Sequence, residues 1–147
     1  MQSEIPYILE TENSCSTFFD SEMKSYQDLE IYNRSMDLFF RTHKFSLNLP
    51  NYEKYELGSQ LRRSSDSINS NIVEGYGRRR YKMDFIKFLA YSHPSTLECR
   101  NHLIKIKTLY PQFESEGETL IQEYDLLGIM IFKFLDYVEK NWKTGTT

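Results

Sequence analysis

Between Gly117 and Trp142 the apolar residues fall in two rows that a helix alone can align. Leu120, Tyr124, Leu127, Ile131, Phe134 and Val138 step alternately by four and three, while Ile121, Gly128, Leu135 and Trp142 recur every seven. A strand alternates every second residue and would scatter both rows over its two faces. Two rows give the helix a wide buried arc, and we expect one row to face the body of the protein and the other a partner subunit. The plainer alternative is that both rows serve one core.

The rest of the chain repeats this logic. Only six Gly and four Pro occur in 147 residues, and the prolines lie far apart, which favours long helices over many short strands. A first helix is expected from about Ser25 to Phe45, with Tyr32, Ser35, Met36, Phe39 and Thr42 or His43 on one face; Pro50 ends this region. A second is expected from Asn51, as its cap, to Glu74, with Leu57, Leu61, Ser64, Ile68 and Ile72 as its stripe. Gly75 suits a left-handed stop. A third is expected from Tyr81 to Leu109, with Phe85, Phe88, Leu89, Ser92, Thr96, Cys99, Leu103 and Ile106 inward. Pro94 lies deep inside it and predicts a kink or a restart at Ser95, because a mid-helix proline costs about 3 kcal/mol. Four long helices with short connections predict an all-α, antiparallel up-down-up-down four-helix bundle over residues 26–143. Residues 1–25 read as a flexible acidic tail and residues 144–147 as a disordered end.

Net charge is −3, but the distribution carries more information. Residues 1–30 sum to −6, residues 31–111 to +7 and residues 112–147 to −4. No basic start followed by an apolar run opens the chain, and no window is long and apolar enough for a membrane span. Cys15 and Cys99 show neither a pairing pattern nor metal-ligand spacing, so a cytoplasmic protein is expected.

Catalytic chemistry finds little support. His43, His93 and His102 are the only histidines. Glu98, Cys99 and His102 share helical spacing, yet the Glu-x-x-His pairs of a di-iron bundle are missing. No strained Gly-x-Ser-x-Gly turn and no Gly-Lys-Ser/Thr phosphate loop occurs. We therefore expect no enzyme activity, no metal and no cofactor.

Two features remain. Ser67, Asn71 and Glu74 run beside the Ile68/Ile72 stripe. Polar groups there are tolerated when hydrogen-bonded, so a network at a helix seam is expected, in which Ser67 and Asn71 meet either the start of the third helix or its Ser95 and Glu98, and Arg62 or Arg63 balances Glu74 or Glu98. Such a network fixes register; the alternative is a ligand pocket. Arg78, Arg79, Arg80 and Lys82 crowd four cations into five positions. They make either a solvated turn or a phosphate contact, with Tyr76 or Tyr81 available to stack on a base.

Leu49-Pro50, Tyr55-Glu56-Leu57, Gln60-Leu61-Arg62-Arg63, Ser67-Ile68, Asn71-Ile72, Glu74-Gly75 and Gly77-Arg78 together form a pattern, which Phe85, Phe88-Leu89, Ser95 and Glu98 extend. In these residues, over about Leu29 to Trp142, the chain resembles the 23S rRNA intervening-sequence protein family and its relative, the accessory variability protein of diversity-generating retroelements. The resemblance implies a four-helix bundle assembled as a homopentamer, without catalytic residues or cofactor. In the retroelement branch it implies a basic barrel that engages RNA or DNA and a reverse transcriptase. Pro94, where relatives commonly have a small residue, and the overall acidity depart from that pattern. A scaffold that binds another protein without touching nucleic acid is the alternative.

Overall fold

The computed structural model describes residues 23–144. The expected acidic tail lies outside them except for its last three residues, and the expected C-terminal end lies outside them except for Thr144. Four long helices make up the fold: α1 Glu30–Leu47, α2 Leu57–Gly77, α3 Lys82–Leu109 and α4 Glu114–Asn141. No strand forms among the described residues. Paired contacts fix the antiparallel order. Ser46 meets Arg62 and Ser35 meets Asn69 between α1 and α2. Ser92 meets Ile68, and Ser95 meets Ser67, between α3 and α2. His93 meets Phe132, Arg100 meets Asp125 and Lys107 meets Glu118 between α3 and α4. Arg41 meets Glu123, and Phe45 meets Phe113 just ahead of α4, which closes the bundle.

The core follows the stripes of α2, α3 and α4. Leu61, Ile68, Ile72, Phe85, Leu89, Leu103, Ile106, Leu127, Ile131 and Val138 are all essentially inaccessible. Each such side chain contributes roughly 1.5–3 kcal/mol by leaving water. Both α4 rows turn inward: Ile121 and Gly128 are buried, and Phe134, Leu135 and Trp142 pack half-buried on the core. The row reserved for a partner subunit is therefore part of the chain's own core. The apolar residues left outside are different ones, among them Leu97, Leu126, Ile129 and Phe132.

Other expectations change as well. The face of α1 is turned: Ile31, Ser35, Leu38, Thr42 and Phe45 are buried, whereas Tyr32, Met36 and Phe39 are half-covered and His43 is exposed. The second helix is broken. A short helix Asn51–Tyr55 precedes α2, and Glu56 between them has φ −102° and ψ −99°. Glu53 turns inward there and accepts a 2.5 Å hydrogen bond from the Tyr110 hydroxyl, while Arg62 donates to the freed Lys54 carbonyl at 2.9 Å. Asn51 accepts from Lys54 Nζ instead of capping the helix. Of the two outcomes expected at Pro94, a kink or a restart at Ser95, the restart does not occur: α3 is one helix from Lys82 to Leu109. Pro94 and Ala90 are both exposed, so water can take up the carbonyl that the proline ring leaves unpaired.

Gly75 is no left-handed stop. It is buried inside α2, which continues to Gly77, and none of the described glycines has a positive φ. Its use is proximity, because it lets α2 lie against Phe85 and Phe88 of α3.

Candidate nucleic-acid interface

The turn between α2 and α3 holds Arg78, Arg79 and Arg80, and Lys82 opens α3. The four cations differ in how they are held. Arg78 is engaged on three sides: by Glu74 at 2.7 Å, by Asp84 at 3.7 Å and by the face of Phe88 at 5.2 Å. The hydrogen bond to Glu74 raises its pKa, so it stays charged but locally neutralised. Arg79 lies 4.1 Å from the Tyr76 ring centroid and donates to the Tyr76 carbonyl at 3.1 Å. The Trp142 indole N–H in turn donates to the Arg79 carbonyl at 3.2 Å, tying the end of α4 to the turn. Arg80 and Lys82 carry no ion pair among the described residues. With Glu74 and Asp84 counted, the patch holds two net positive charges rather than four. Tyr81 stands 65% exposed beside Arg80 and Lys82, so a flat aromatic face is open next to the free cations.

The polar seam of α2 and α3 is narrower than its sequence pattern. Asn71 donates to the Ser67 carbonyl at 2.8 Å and to its hydroxyl at 3.1 Å, and Ser95 reaches Ser67 Oγ from α3 at 3.1 Å. Glu74 is not part of it, being exposed and paired with Arg78. Arg63 and Glu98 are also exposed, and they line an open cleft with Gln60, Ser64, Ser67, Ser95 and His102. Long charged side chains keep their hydration at such an edge, whereas Ser and Asn can pair inside it. Of the neighbouring pair, Arg62 rather than Arg63 is held inside the fold, through Ser46 Oγ at 2.8 Å and the Lys54 carbonyl.

A second polar cluster lies at the centre. The buried Tyr124 hydroxyl stands 2.6 Å from Thr42 Oγ1 and 2.8 Å from Ser65 Oγ. Burial, followed by the neighbouring Cys99, pushes the Tyr124 pKa up, and burial does the same to the Cys99 thiol. Both groups are therefore neutral, and the cluster is a structural pin without a base. Its members sit on three helices, so no single stripe revealed it. The one available signal was a tyrosine in the apolar row of α4. Among the described residues no three His, Cys, Asp or Glu side chains gather as a metal site. No described helix is long and apolar enough to cross a membrane.

A family model described as 23S rRNA-intervening sequence protein matches residues 27–133. The chain belongs to that family. The match starts in the turn that precedes α1, takes in α1, α2, α3 and the loop carrying Arg78, and ends in α4 shortly after Phe132. Among curated proteins none matches the chain. The family assignment thus coincides with the whole bundle apart from the last turns of α4, and the polar seam and the basic loop both fall within it.

Proposed function

We propose that this protein is a non-enzymatic helical module that assembles with copies of itself and contacts RNA phosphates through the loop between α2 and α3. The observation that carries the reading is the state of the loop. Arg80 and Lys82 project no partnered charge, Arg79 is propped over Tyr76, and Tyr81 is open beside them. Membership in a family named for an intervening sequence of 23S rRNA agrees with it. Two or three phosphate contacts per copy bind weakly, and affinity should fall roughly ten- to fortyfold between 50 and 200 mM salt on the duplex slope. Self-assembly, with five copies by the resemblance, would let several such loops act on one strand.

Self-assembly draws on a separate observation. Leu97, Leu126, Ile129 and Phe132 are between 44% and 59% exposed on the outer side of α3 and α4. The pairs His93–Phe132 and Arg100–Asp125 bracket Leu97 and Ile129 and bring them onto one face. The same face supports the second reading, a scaffold for a different protein such as a reverse transcriptase.

Light scattering during gel filtration, with and without RNA, tests the reading. A mass several times that of one chain, falling to one chain on Ile129→Glu with Phe132→Glu, is expected. RNA retained at low salt should be lost on Arg80→Glu with Lys82→Glu. Retention unchanged by that pair would remove the loop from the account, and a single-chain mass at all concentrations would remove the assembly.

A further inference from the structure

The described chain starts beside the basic loop. Tyr26, in the turn before α1, packs edge to face on Tyr76 with ring centroids 6.2 Å apart, and the Arg79 guanidinium lies 4.1 Å from the centroid of the same ring. Together these spans keep the Tyr26 ring within about 10 Å of the Arg79 guanidinium. The backbone leading into the turn is held as well. The amides of Lys24 and Ser25 both donate to Asp28 Oδ2 at 2.9 Å.

Residues 1–22 contain Glu4, Glu10, Glu12, Asp20 and Glu22, and no Lys, Arg or His. Asp20 and Glu22 stand six and four residues before Tyr26. A chain covers up to roughly 3.5 Å per residue, so spans of four and six residues exceed the separation between the Tyr26 ring and the Arg79 guanidinium. The loop's own acids are already taken, because Glu74 and Asp84 both face Arg78. Arg80 and Lys82 are left for an outside anion.

We propose that the acidic segment 1–22 docks through Asp20 and Glu22 onto Arg79, Arg80 and Lys82 of its own chain and competes there with phosphate groups. Tethering makes this possible despite weak single pairs, since a short linker gives effective concentrations in about the mM range. A long polyanion that engages several loops at once displaces it. The consequence for RNA rests on the phosphate contact proposed above; the docking itself does not.

Zero-length carbodiimide coupling of the full chain tests the docking, with natural and nitrogen-15-labelled chains mixed in equal amounts. The reagent joins a carboxylate to an amine as an amide with net loss of water. Arginine does not react, so Lys82 is the loop's reporter. Peptides joining Asp20 or Glu22 to Lys82, of like isotope only, are expected at low salt. They should disappear at about 1 M salt, where screening acts within roughly 3 Å. Coupling directed instead to Lys87, or to Lys133 at the apolar groove of Leu29, Met130 and Phe134, would overturn the proposal, as would mixed-isotope pairs as abundant as like ones. The full-length variant Asp20→Asn with Glu22→Gln should retain RNA severalfold more tightly at low salt and equally at high salt. Equal retention at low salt would overturn the competition. If neither chain retained RNA, the RNA reading would fall while the coupling products still decided the docking.

Discussion

Gly75 of α2 lies so close to Phe88 of α3 that a Cβ on the glycine would stand 3.0 Å from Phe88 Cβ and 3.3 Å from Phe85 Cδ2. Phe88 Cβ is fixed to its backbone, so relief requires the two helices to part. Overpacking of this kind costs about 1–3 kcal/mol, and the better helix propensity of alanine returns at most about 1 kcal/mol. Gly75→Ala is therefore expected to lower the melting temperature by several degrees. A Cβ on Gly77 would meet no other part of the fold within 4 Å among the described residues, and the glycine is not at positive φ. Gly77→Ala should leave the melting temperature unchanged or raise it, since it restricts the unfolded chain by up to about 1 kcal/mol. Shifts of the same sign and size at both positions would contradict the close approach.

The Tyr124 hydroxyl holds α4 to Thr42 of α1 and Ser65 of α2 inside the buried core. Tyr124→Phe keeps the ring and strands two buried hydroxyls. The expected loss is about 1–3 kcal/mol, read from the urea midpoint. Adding Thr42→Val and Ser65→Ala removes the stranded groups and should recover much of that loss. A triple variant less stable than the single one would show that the cluster acts through shape rather than through its hydrogen bonds.

The parts of the fold legible from the sequence are those where one period dominates. In α4 the apolar steps of three and four mark the inward arc, with Tyr124 and Ile131 on it; in α3 apolar side chains also lie outside, Tyr91 and Leu97 among them, yet the steps from Phe85 through Leu89 to Cys99 still pick out the buried face. In α1 the apolar side chains Ile31, Tyr32, Met36, Leu38, Phe39, Phe40 and Phe45 surround most of the helix, so spacing alone does not choose the phase; Arg62, Asn69 and Tyr124 on other helices do. The break at Glu56 comes with a hydrogen bond between Glu53 and Tyr110, 57 residues away, and with Arg62 on the Lys54 carbonyl, which no local pattern contains. The polar seam was legible at Ser67 and Asn71, whose short side chains pair within reach. It was not legible at Arg63, Glu74 and Glu98, because long charged side chains can turn to water. The basic run was visible as charge, but its halving by Glu74 and Asp84 needed the turn itself.

Neighbouring arginines should respond in opposite ways. Arg62 donates to Ser46 Oγ and to the Lys54 carbonyl, so it joins α1, the short helix and α2 at the break. Arg62→Ala leaves the freed carbonyl without its charged donor and should cost about 1–3 kcal/mol in urea denaturation. Arg63 is exposed, and Arg63→Ala should change stability by less than about 0.5 kcal/mol. Equal effects would mean that the break at Glu56 does not depend on Arg62.

His102 supplies a pH dependence whose sign can be worked out. Its Nδ1 is buried with no hydrogen-bond partner among the described residues. Burial, and next the nearby Lys105, hold its pKa below the ordinary 6.5, while Glu98 opposes them. Arg63 shares the cleft edge with the ring. In the folded chain the ring thus stays neutral at a pH where the unfolded chain has already taken up a proton. Where the unfolded state binds more protons, stability rises with pH. Stability should therefore decline as pH falls through 6.5 and level off below the lower folded value. The Lys107 hydrogen bond holds Glu118 below its ordinary 4.5, and its contribution is lost only in that more acidic range, so the two effects separate. Urea midpoints taken between about pH 7.5 and 5.5 should fall for the natural chain and change less for His102→Gln. A His102 ring titration by NMR centred at or above 6.5 would remove this account.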